Sequence, residues 1–287
     1  MLDLRQTLQY SPYMSSIGWI VERIDGVNYF IRKFPLIGSF IKIQRPEKIS
    51  HRVIELLSKK YRAFQIVIEP ARNATHSVAG GPKGTNYQSL IVKNGFKQSK
   101  LPFVPAKTIH IDLTKSESQL LKEMHHKTRY NIKLGKRLKV KVIISKDINL
   151  FADFWQECAR KQRGMFLSQK KEISELYKAF GQNAHITLGF KDKKLVSGIL
   201  LISTKDIAYY MYAASSDVGK KLFAPTLTVW EAIRLAKKLD CKIFDFEGIY
   251  DERFPLTSWK GFTRFKKSFG GKEVDYPGAF VKYKFPF

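Results

Sequence analysis

The sequence is short of cysteine and of long apolar runs, and each shortage excludes a class of protein. Cys158 and Cys241 are its only cysteines, and neither lies at a metal-binding spacing, so a disulfide-rich secreted domain is excluded. No stretch approaches 18 uninterrupted apolar residues, which excludes a membrane-spanning helix. The N-terminus has no basic segment followed by an apolar run, so no signal peptide is predicted and the expected location is the cytoplasm.

Acidic residues are also scarce relative to basic ones. The 287 residues include 51 Lys and Arg but only 25 Asp and Glu, for a formal net charge of +26. Such an excess predicts a polyanionic partner: nucleic acid, an anionic membrane surface or a phosphorylated substrate. The alternative is a basic surface without a specific partner. With 44% hydrophobic and 13% aromatic residues, the chain is expected to fold rather than to stay disordered.

The hydrophobic periodicity repeats along the chain and predicts a duplicated α+β fold. The first half reads as a hairpin turning at Asp25-Gly26, a helix and further strands. The second half reads as helices, three successive strands, a helix and a strand. We therefore predict two modules, 1–145 and 146–287. The predicted strands are 17–24, 27–35, 37–43, 64–68, 90–92, 108–113, 185–190, 195–202, 207–214 and 242–248, and the predicted helices are 47–61, 150–161, 173–180 and 226–238, with a loop at 73–86.

A basic helix is predicted after residue 114. Thr114 and Glu117 fit a capping box, and eight Lys and Arg residues follow from Lys122 to Lys141, interleaved with apolar side chains. A helix with one basic and one apolar face suits phosphate groups or an anionic surface. An ordinary solvated helix face is the alternative.

A segment near the C-terminus combines three phenylalanines, three cations and three glycines, Gly261-Phe-Thr-Arg-Phe-Lys-Lys-Ser-Phe-Gly-Gly271. We predict a strand or strand end in which Phe262, Phe265 and Phe269 anchor the chain. Alternation along a strand would then point Lys266 into a groove and leave Lys267 solvated. A buried strand with a merely solvated basic face is the alternative.

Signatures of several catalytic classes are absent from the sequence. His125 and His126 are adjacent, which is not a metal-binding spacing on a helix, so no metal is predicted. No nucleophile elbow or Walker loop occurs, and residues 217–225 lack the second glycine of an acyl-CoA pyrophosphate loop, so no cofactor is predicted. Asp245 and Glu247 alternate on a predicted strand and could be functional, although a hydrogen-bonded structural pair is the favoured interpretation.

Five segments, taken in order, resemble the Fem family of aminoacyl-tRNA-dependent peptidyltransferases. They are Lys127-Thr-Arg-Tyr-Asn-Ile-Lys133, Tyr210-Met-Tyr-Ala-Ala-Ser215, Ala224-Pro-Thr-Leu-Thr-Val-Trp-Glu-Ala-Ile233, Cys241-Lys-Ile-Phe-Asp-Phe-Glu-Gly248 and Arg264-Phe-Lys-Lys-Ser-Phe-Gly-Gly271. The resemblance implies two acetyltransferase-like (GNAT-like) modules. The coiled-coil arm that some members carry is predicted to be absent, because the sequence has no extended heptad pair. The resemblance also implies transfer of an amino acid from aminoacyl-tRNA to an amine of a peptidoglycan precursor, UDP-linked or lipid-linked. Peripheral contact with the inner membrane face is a further implied partner.

The same resemblance implies roles for particular residues. Phe265-Lys266 matches the family's Phe-Lys pair, so Lys266 is expected to stabilise the transition state or the tRNA end. Arg163 resembles a precursor-binding arginine and Lys33 a phosphate-contacting lysine, and Tyr212 is expected to line the acceptor groove. These expectations place Lys33, Arg163 and Lys266 in one groove between the modules. The residues expected to bind tRNA are Lys127, Arg129, Lys133 and Arg264.

Two departures from the family pattern concern acceptor binding. The family's Arg-Gly-Pro is Arg45-Pro-Glu here, and its Tyr-Gly-Ala-Ser is Tyr212-Ala-Ala-Ser. Two other functions stay open on the sequence. One is a non-catalytic tRNA- or RNA-binding protein, for which the basic helix would suffice. The other is an N-acyltransferase of the same fold with another donor or acceptor, including the leucyl/phenylalanyl type that modifies protein N-termini.

Overall fold

The computed structural model describes residues 1–72, 74–76 and 87–284. The helices are α1 (Tyr10–Ser16), α2 (His51–Lys60), α3 (Tyr87–Lys93), α4 (Glu117–Glu123), α5 (His126–Arg137), α6 (Ile148–Arg163), α7 (Lys170–Phe180), α8 (Asp217–Lys221), α9 (Ala224–Lys238) and α10 (Lys260–Lys267). The strands are β1 (Ile20–Ile24), β2 (Val27–Phe34), β3 (Gly38–Gln44), β4 (Lys48–Ile49), β5 (Ala63–Glu69), β6 (Thr75–His76), β7 (Lys97–Gln98), β8 (Lys107–Asp112), β9 (Lys141–Ser145), β10 (Ala184–Lys191), β11 (Lys194–Ser203), β12 (Ile207–Ser215), β13 (Ile243–Asp245), β14 (Lys272–Asp275) and β15 (Phe280–Tyr283).

The first unit comprises residues 1–107, 250–256 and 275–287 and is built on a sheet in the order β1-β2-β3-β5-β15-β7. The hairpin predicted at Asp25-Gly26 is confirmed, since both residues adopt the positive φ of a tight hairpin turn. Strands β1 to β3 form an antiparallel meander, and α2 then crosses over so that β5 runs parallel to β3. The core of this unit contains Tyr29, Ile31 and Ile66.

The second unit comprises residues 108–249 and 257–274 and is built on a sheet in the order β14-β8-β13-β12-β11-β10-β9. Strands β10 to β12 form the meander, and α9 crosses over so that β13 runs parallel to β12. Helix α9 packs its buried residues, among them Val229 and Ile233, on this sheet. The three predicted strands of the meander and the helix that follows are confirmed.

The two units repeat one plan, which confirms the predicted α+β duplication. Each has a three-strand meander, a crossover helix, a parallel strand and a further antiparallel strand, β15 beside β5 in the first unit and β8 beside β13 in the second. That last strand comes from the far end of the sequence in the first unit and from the middle of it in the second. Among the described residues the longest helix is α6, with 16 residues, so the described chain contains no coiled-coil arm.

The boundaries of the units differ from the predicted division at residue 145. Residues 108–145 lie in the second unit, because β8 pairs with β13 and β9 pairs with β10. Residues 275–287 lie in the first unit, because β15 pairs with β5. Strand pairing over long sequence separations decides both assignments, and local composition does not report it.

Several local predictions are wrong. The segment 261–271 begins with helix α10 and not with a strand, because the apolar residues Phe262, Phe265 and Phe269 recur at helical spacing. Residues 90–92 belong to helix α3. The capping box before α4 is formed by Ser116 and Gln119, two residues later than the predicted pair Thr114 and Glu117.

Other predicted elements lie elsewhere or are undescribed. The helix predicted over the basic run ends at Arg137, and the last residue of the run, Lys141, begins strand β9. The helix predicted from residue 47 begins at His51, after the short strand β4. Most of the predicted loop at 73–86 lies outside the described residues. None of the helices in the described chain is long and apolar enough to cross a bilayer.

Candidate active site in the second unit

A cleft opens in the second unit where two parallel strands stop pairing. Strand β12 pairs with β13 only as far as Tyr209 and Asp245, although β12 continues to Ser215. Beyond Asp245 the chain turns away through Glu247 and Gly248, which have φ values of 54° and 118°. Beyond Tyr209, β12 stays paired with β11, but its edge on the side of β13 faces the cleft.

The cleft has a volume of about 760 Å³, which is within the range of small-molecule sites. Its walls come from α6, β11, β12, α8, α9, the turn after β13, and α10. Small side chains at Ala213, Ala214 and Ser215 leave room along the strand. Aromatic residues supply much of the remaining wall: Trp155, Tyr210, Tyr212, Phe223, Trp259, Phe262 and Phe265.

Lys266 lies at the cleft wall with its ammonium held in place. Its Nζ donates hydrogen bonds to the carbonyl oxygens of Phe246 and Gly248, each at 2.7 Å. These are backbone groups of the turn where β13 leaves the sheet. The ammonium also lies 4.8 Å from the ring centre of Phe262 and 5.4 Å from that of Tyr210. A fixed positive charge thus borders the cleft.

Helix α10 positions Lys266 through its aromatic face. Phe269, just past the helix, is buried and packs on Phe246 and on Phe265, with ring centres 5.8 and 5.2 Å apart. Phe265 itself lines the cleft, as does Tyr212, whose ring meets Trp155 edge-on at 5.5 Å. The structure therefore brings together Lys266, Phe265 and Tyr212, three of the residues singled out from the sequence.

Asp245 is structural, as the favoured sequence interpretation held. Its buried carboxylate accepts hydrogen bonds from the Thr108 hydroxyl at 2.6 Å and the Glu247 backbone N–H at 2.8 Å, and lies 3.1 Å from His110 Nε2. Burial opposes ionisation, but these hydrogen bonds and the nearby imidazole hold the pKa of Asp245 below its ordinary value. The carboxylate fixes the turn that carries Glu247.

Glu247 is different, because its side chain lines the cleft. It occupies the left-handed region at φ 54°, where a residue with a Cβ is strained. Strained backbone concentrates at functional sites, and a carboxylate there can accept a proton. The sequence signal was the alternation of Asp245 and Glu247 on a predicted strand. That alternation does not distinguish a buried structural carboxylate from one that lines the cleft.

Cys158 also lines the cleft but is a poor nucleophile. Burial raises the pKa of its thiol to about 11, so the thiol stays protonated at neutral pH. Within the described residues no group of three or more His, Cys, Asp or Glu side chains could hold a metal ion.

Arg163 and Lys33 are placed in different units. Arg163 is the last residue of α6 in the second unit, and its side chain lies outside what the structure describes. Lys33 is exposed on β2 in the first unit. There it lines a cavity of about 480 Å³ with Lys60, Tyr61 and Arg62. A common groove for Lys33, Arg163 and Lys266 stays a prediction.

The basic helix α5 separates into two kinds of cation. Lys127 and Lys133 are exposed, and no carboxylate of the described chain forms an ion pair with either. Arg129 instead turns inward, and its guanidinium donates to the carbonyl oxygens of Lys122 and Met124 at the end of α4. Arg129 thus joins two helices, and the sequence offered no signal separating it from its neighbours. Arg264 is exposed on α10.

Comparison with known sequences identifies one family. The FemAB family model matches residues 190–287, which include β11 to β13, α9 and α10. Much of the cleft wall, with Lys266, Phe265, Tyr212 and Glu247, lies within this range. A search of curated protein sequences gives no match.

Solved structures share the fold over most of the chain. The crystal structure of FemX superposes with a TM-score of 0.78 at 18% identity, covering 98% of this chain and 92% of that one. The C-terminal domain of a putative lysylphosphatidylglycerol synthetase from Agrobacterium fabrum gives 0.60 at 12% identity, covering 98% and 89%. A tandem GNAT protein from the clavulanic acid biosynthesis pathway gives 0.52 at 10% identity, covering 93% and 83%.

These likenesses agree with the duplicated plan of the two sheets. The predicted fold, two tandem GNAT-like modules, is confirmed by the likeness to FemX and to the tandem GNAT protein. The predicted resemblance to the Fem family is confirmed over residues 190–287 by the FemAB family model. The likeness to FemX, at 18% identity, concerns the fold.

Proposed function

We propose that this protein transfers an amino acid from aminoacyl-tRNA to an amine of a peptidoglycan precursor stem peptide. The observation that carries the proposal is the cleft beside the separated strands β12 and β13, bordered by the ammonium of Lys266 and lined by Glu247. Those residues lie within the stretch that matches the FemAB family model. The net charge of +26 supports it, since tRNA and a diphosphate-containing precursor are both polyanions.

The reaction needs no covalent enzyme intermediate. The neutral acceptor amine attacks the ester carbonyl carbon and gives up one proton to a nearby base, while negative charge develops on the carbonyl oxygen. Collapse of this intermediate forms the amide and breaks the ester C–O bond, and the same proton passes to the departing oxygen, which leaves as the tRNA hydroxyl. A fixed cation near the developing oxyanion lowers the barrier, and a carboxylate near the amine takes up its proton. We assign the first role to Lys266 and the second to Glu247.

The remaining residues are assigned by their positions. Phe265 and Tyr212 form cleft wall against which the acceptor peptide or the aminoacyl group packs. Arg163 and Lys33 are assigned to the phosphate groups of the precursor.

The exposed cations Lys127, Lys133 and Arg264 are assigned to the tRNA backbone. Arg129 is withdrawn from that set, because its guanidinium is engaged by the carbonyl groups of α4. Its substitution would disturb the joint between α4 and α5.

A second candidate function keeps the donor and changes the acceptor. The fold is shared with a putative lysylphosphatidylglycerol synthetase, whose name denotes a lysine joined to a phospholipid. In that case the cleft would receive a lipid hydroxyl in place of a peptide amine. A non-catalytic RNA-binding protein would need the exposed face of α5 and no cleft at all.

A transfer assay with charged tRNAs separates these functions. The purified protein is incubated with a mixture of aminoacyl-tRNAs and, in parallel, with a UDP-linked muropeptide, phosphatidylglycerol vesicles or a peptide with a free N-terminus. Mass spectrometry of each acceptor identifies the added residue. The proposal expects one added amino acid on the muropeptide. Addition to the lipid or the peptide alone would contradict it, as would tRNA binding with no product on any acceptor.

The Lys266 assignment is tested by substitution with methionine. We expect Lys266→Met to lower kcat by about 10² to 10³-fold, the usual effect of losing one group that stabilises an oxyanion, with tRNA affinity unchanged. Because the variant also removes donors from two backbone carbonyls, its folding must be checked by circular dichroism. The matched control is Lys267→Met, since Lys267 is exposed and pairs with Glu273. Equal turnover in the two variants would remove the central assignment.

A further inference from the structure

The turn between β2 and β3 in the first unit presents apolar side chains to solvent. Leu36 is 101% exposed, Ile37 57% and Phe34 42%. Such turns ordinarily hold Gly, Asn, Asp or Ser, which are compatible with water and with positive φ. Leu36 nevertheless has a φ of 65°. Leu36 and Ile37 contribute nothing to the hydrophobic core of the unit.

The base of the tip packs against a second turn beside it. The backbone N–H of Ser39 donates to the Arg62 carbonyl at 3.1 Å. Gly38 lets the two turns approach, since a Cβ at that position would lie 2.2 Å from the same carbonyl oxygen. Phe34 packs edge-on against Phe64, with ring centres 5.8 Å apart. Leu36 and Ile37 therefore project from a fixed base.

Cations surround this base. Lys33, Lys60 and Arg62 line the same cavity as Phe34 and Leu36. Lys60 forms an ion pair with Glu22, whereas no carboxylate of the described chain forms an ion pair with Lys33 or Arg62. The base thus keeps a net positive charge directly behind an apolar tip.

We propose that residues 34–37 insert into the interfacial layer of an anionic bilayer, with Arg62 contacting a lipid phosphate. An apolar tip in front of cations is complementary to acyl chains beneath anionic head groups. A four-residue tip is much too small for a stable protein interface, which needs roughly 800 Å² on each partner. A bilayer has no such minimum, because it accepts each side chain individually. Insertion goes beyond the proposed transfer reaction and would bring the enzyme to the membrane surface.

Vesicle sedimentation of the full-length protein tests the proposal. Vesicles of phosphatidylcholine alone and with phosphatidylglycerol are compared at equal lipid concentration. We expect binding only to the anionic vesicles, and about ten-fold or more weaker binding by Leu36→Asn/Ile37→Ser, because two aliphatic side chains no longer leave water. Arg62→Gln should weaken binding and reduce its dependence on salt.

The matched control is Phe166→Ser/Leu167→Ser, which removes two apolar side chains of comparable exposure, 81% and 82%, from the second unit. Its vesicle binding should equal that of the wild type. Absence of wild-type binding, or a loss confined to the control variant, would overturn the proposal, as would self-association through the tip without vesicle binding. Transfer to a soluble UDP-linked precursor without lipid should persist in Leu36→Asn/Ile37→Ser, so failure of insertion and failure of the transferase function are distinguishable.

Discussion

Glu247 combines a strained backbone with a place in the cleft. If the strain is retained for function, then stability and activity should move in opposite directions when it is removed. We expect Glu247→Gly to raise the free energy of unfolding by about 1 kcal/mol, since glycine adopts positive φ without penalty, and to lower turnover at least ten-fold. Thermal unfolding and the transfer assay measure the two effects.

Asp192 provides the matched control for Glu247. It also has positive φ, at 47°, but lies exposed in the turn between β10 and β11, outside the residues that line the cleft. Asp192→Gly should gain similar stability with unchanged turnover. A Glu247→Gly variant with normal turnover would show that the carboxylate takes no part in the reaction.

Asp245 ties β8 to the turn after β13, and its ionisation should make stability depend on pH. Its pKa is depressed in the folded state, so its contribution is present above about pH 4 and is lost as pH falls further. We expect Asp245→Asn to cost about 3 kcal/mol at pH 7 and progressively less below pH 4, in urea titrations. Tryptophan fluorescence is a suitable signal, since Trp155, Trp230 and Trp259 lie in the second unit. An equal cost at pH 7 and pH 3 would contradict this.

At the scale of elements, α10 is the clearest difference between sequence and structure. We expect Gly261→Ala to raise the free energy of unfolding by about 0.5–1 kcal/mol, because Gly261 is helical and an added Cβ would meet nothing within 4 Å. Gly271→Ala, by contrast, should destabilise, since Gly271 has φ 88° and a Cβ would lie 2.6 Å from the His110 carbonyl oxygen. Chemical denaturation of both variants measures this. Destabilisation by Gly261→Ala would argue against a helix at that position.

The predicted strand at 261–271 was wrong although the helical signal was present. Trp259, Phe262, Phe265 and Phe269 follow a helical period, and all except the buried Phe269 line the cleft. The cations between them fall on other faces of the helix. Lys266 still borders the cleft and Lys267 still faces solvent, because residues next to each other on a helix also point in different directions, about 100° apart.

For the whole molecule, the charge of +26 should appear as salt-sensitive tRNA binding. We expect Lys127→Gln/Lys133→Gln to reduce the slope of log K against log salt by about one for each lysine, since each phosphate contact that a lysine forms frees a counterion from the tRNA. Filter binding over a range of KCl concentrations measures the slope. Lys193→Gln/Lys194→Gln removes the same charge from the exposed β10–β11 turn and should leave the slope nearly unchanged. Equal effects of the two variants would indicate binding by general surface charge.

The fold class and much of the element order followed from the sequence alone. Hydrophobic periodicity identified both meanders and α9, since it reports local burial, and the motifs Tyr210–Ser215, Cys241–Gly248 and Arg264–Gly271 indicated the Fem family. The excess of basic residues predicted polyanionic partners. These features depend on neighbours within about ten residues, so the sequence displays them directly.

Tertiary structure decided what depends on distant partners. Strand β8 comes from the first half of the sequence but pairs in the second unit, and β15 comes from the end of the sequence but pairs in the first unit. The unit boundaries therefore differ from the predicted division at residue 145, because strand pairing joins residues far apart in the chain. The same long-range pairing ends at Tyr209 and Asp245, which opens the cleft beside Lys266. Contacts with other elements also gave Asp245 and Arg129 structural roles. Glu247 instead lines the cleft, and Lys127 is exposed. Sequence by itself determined both meanders, α9 and the charge of the chain, and the tertiary structure determined which of the charged side chains border the cleft.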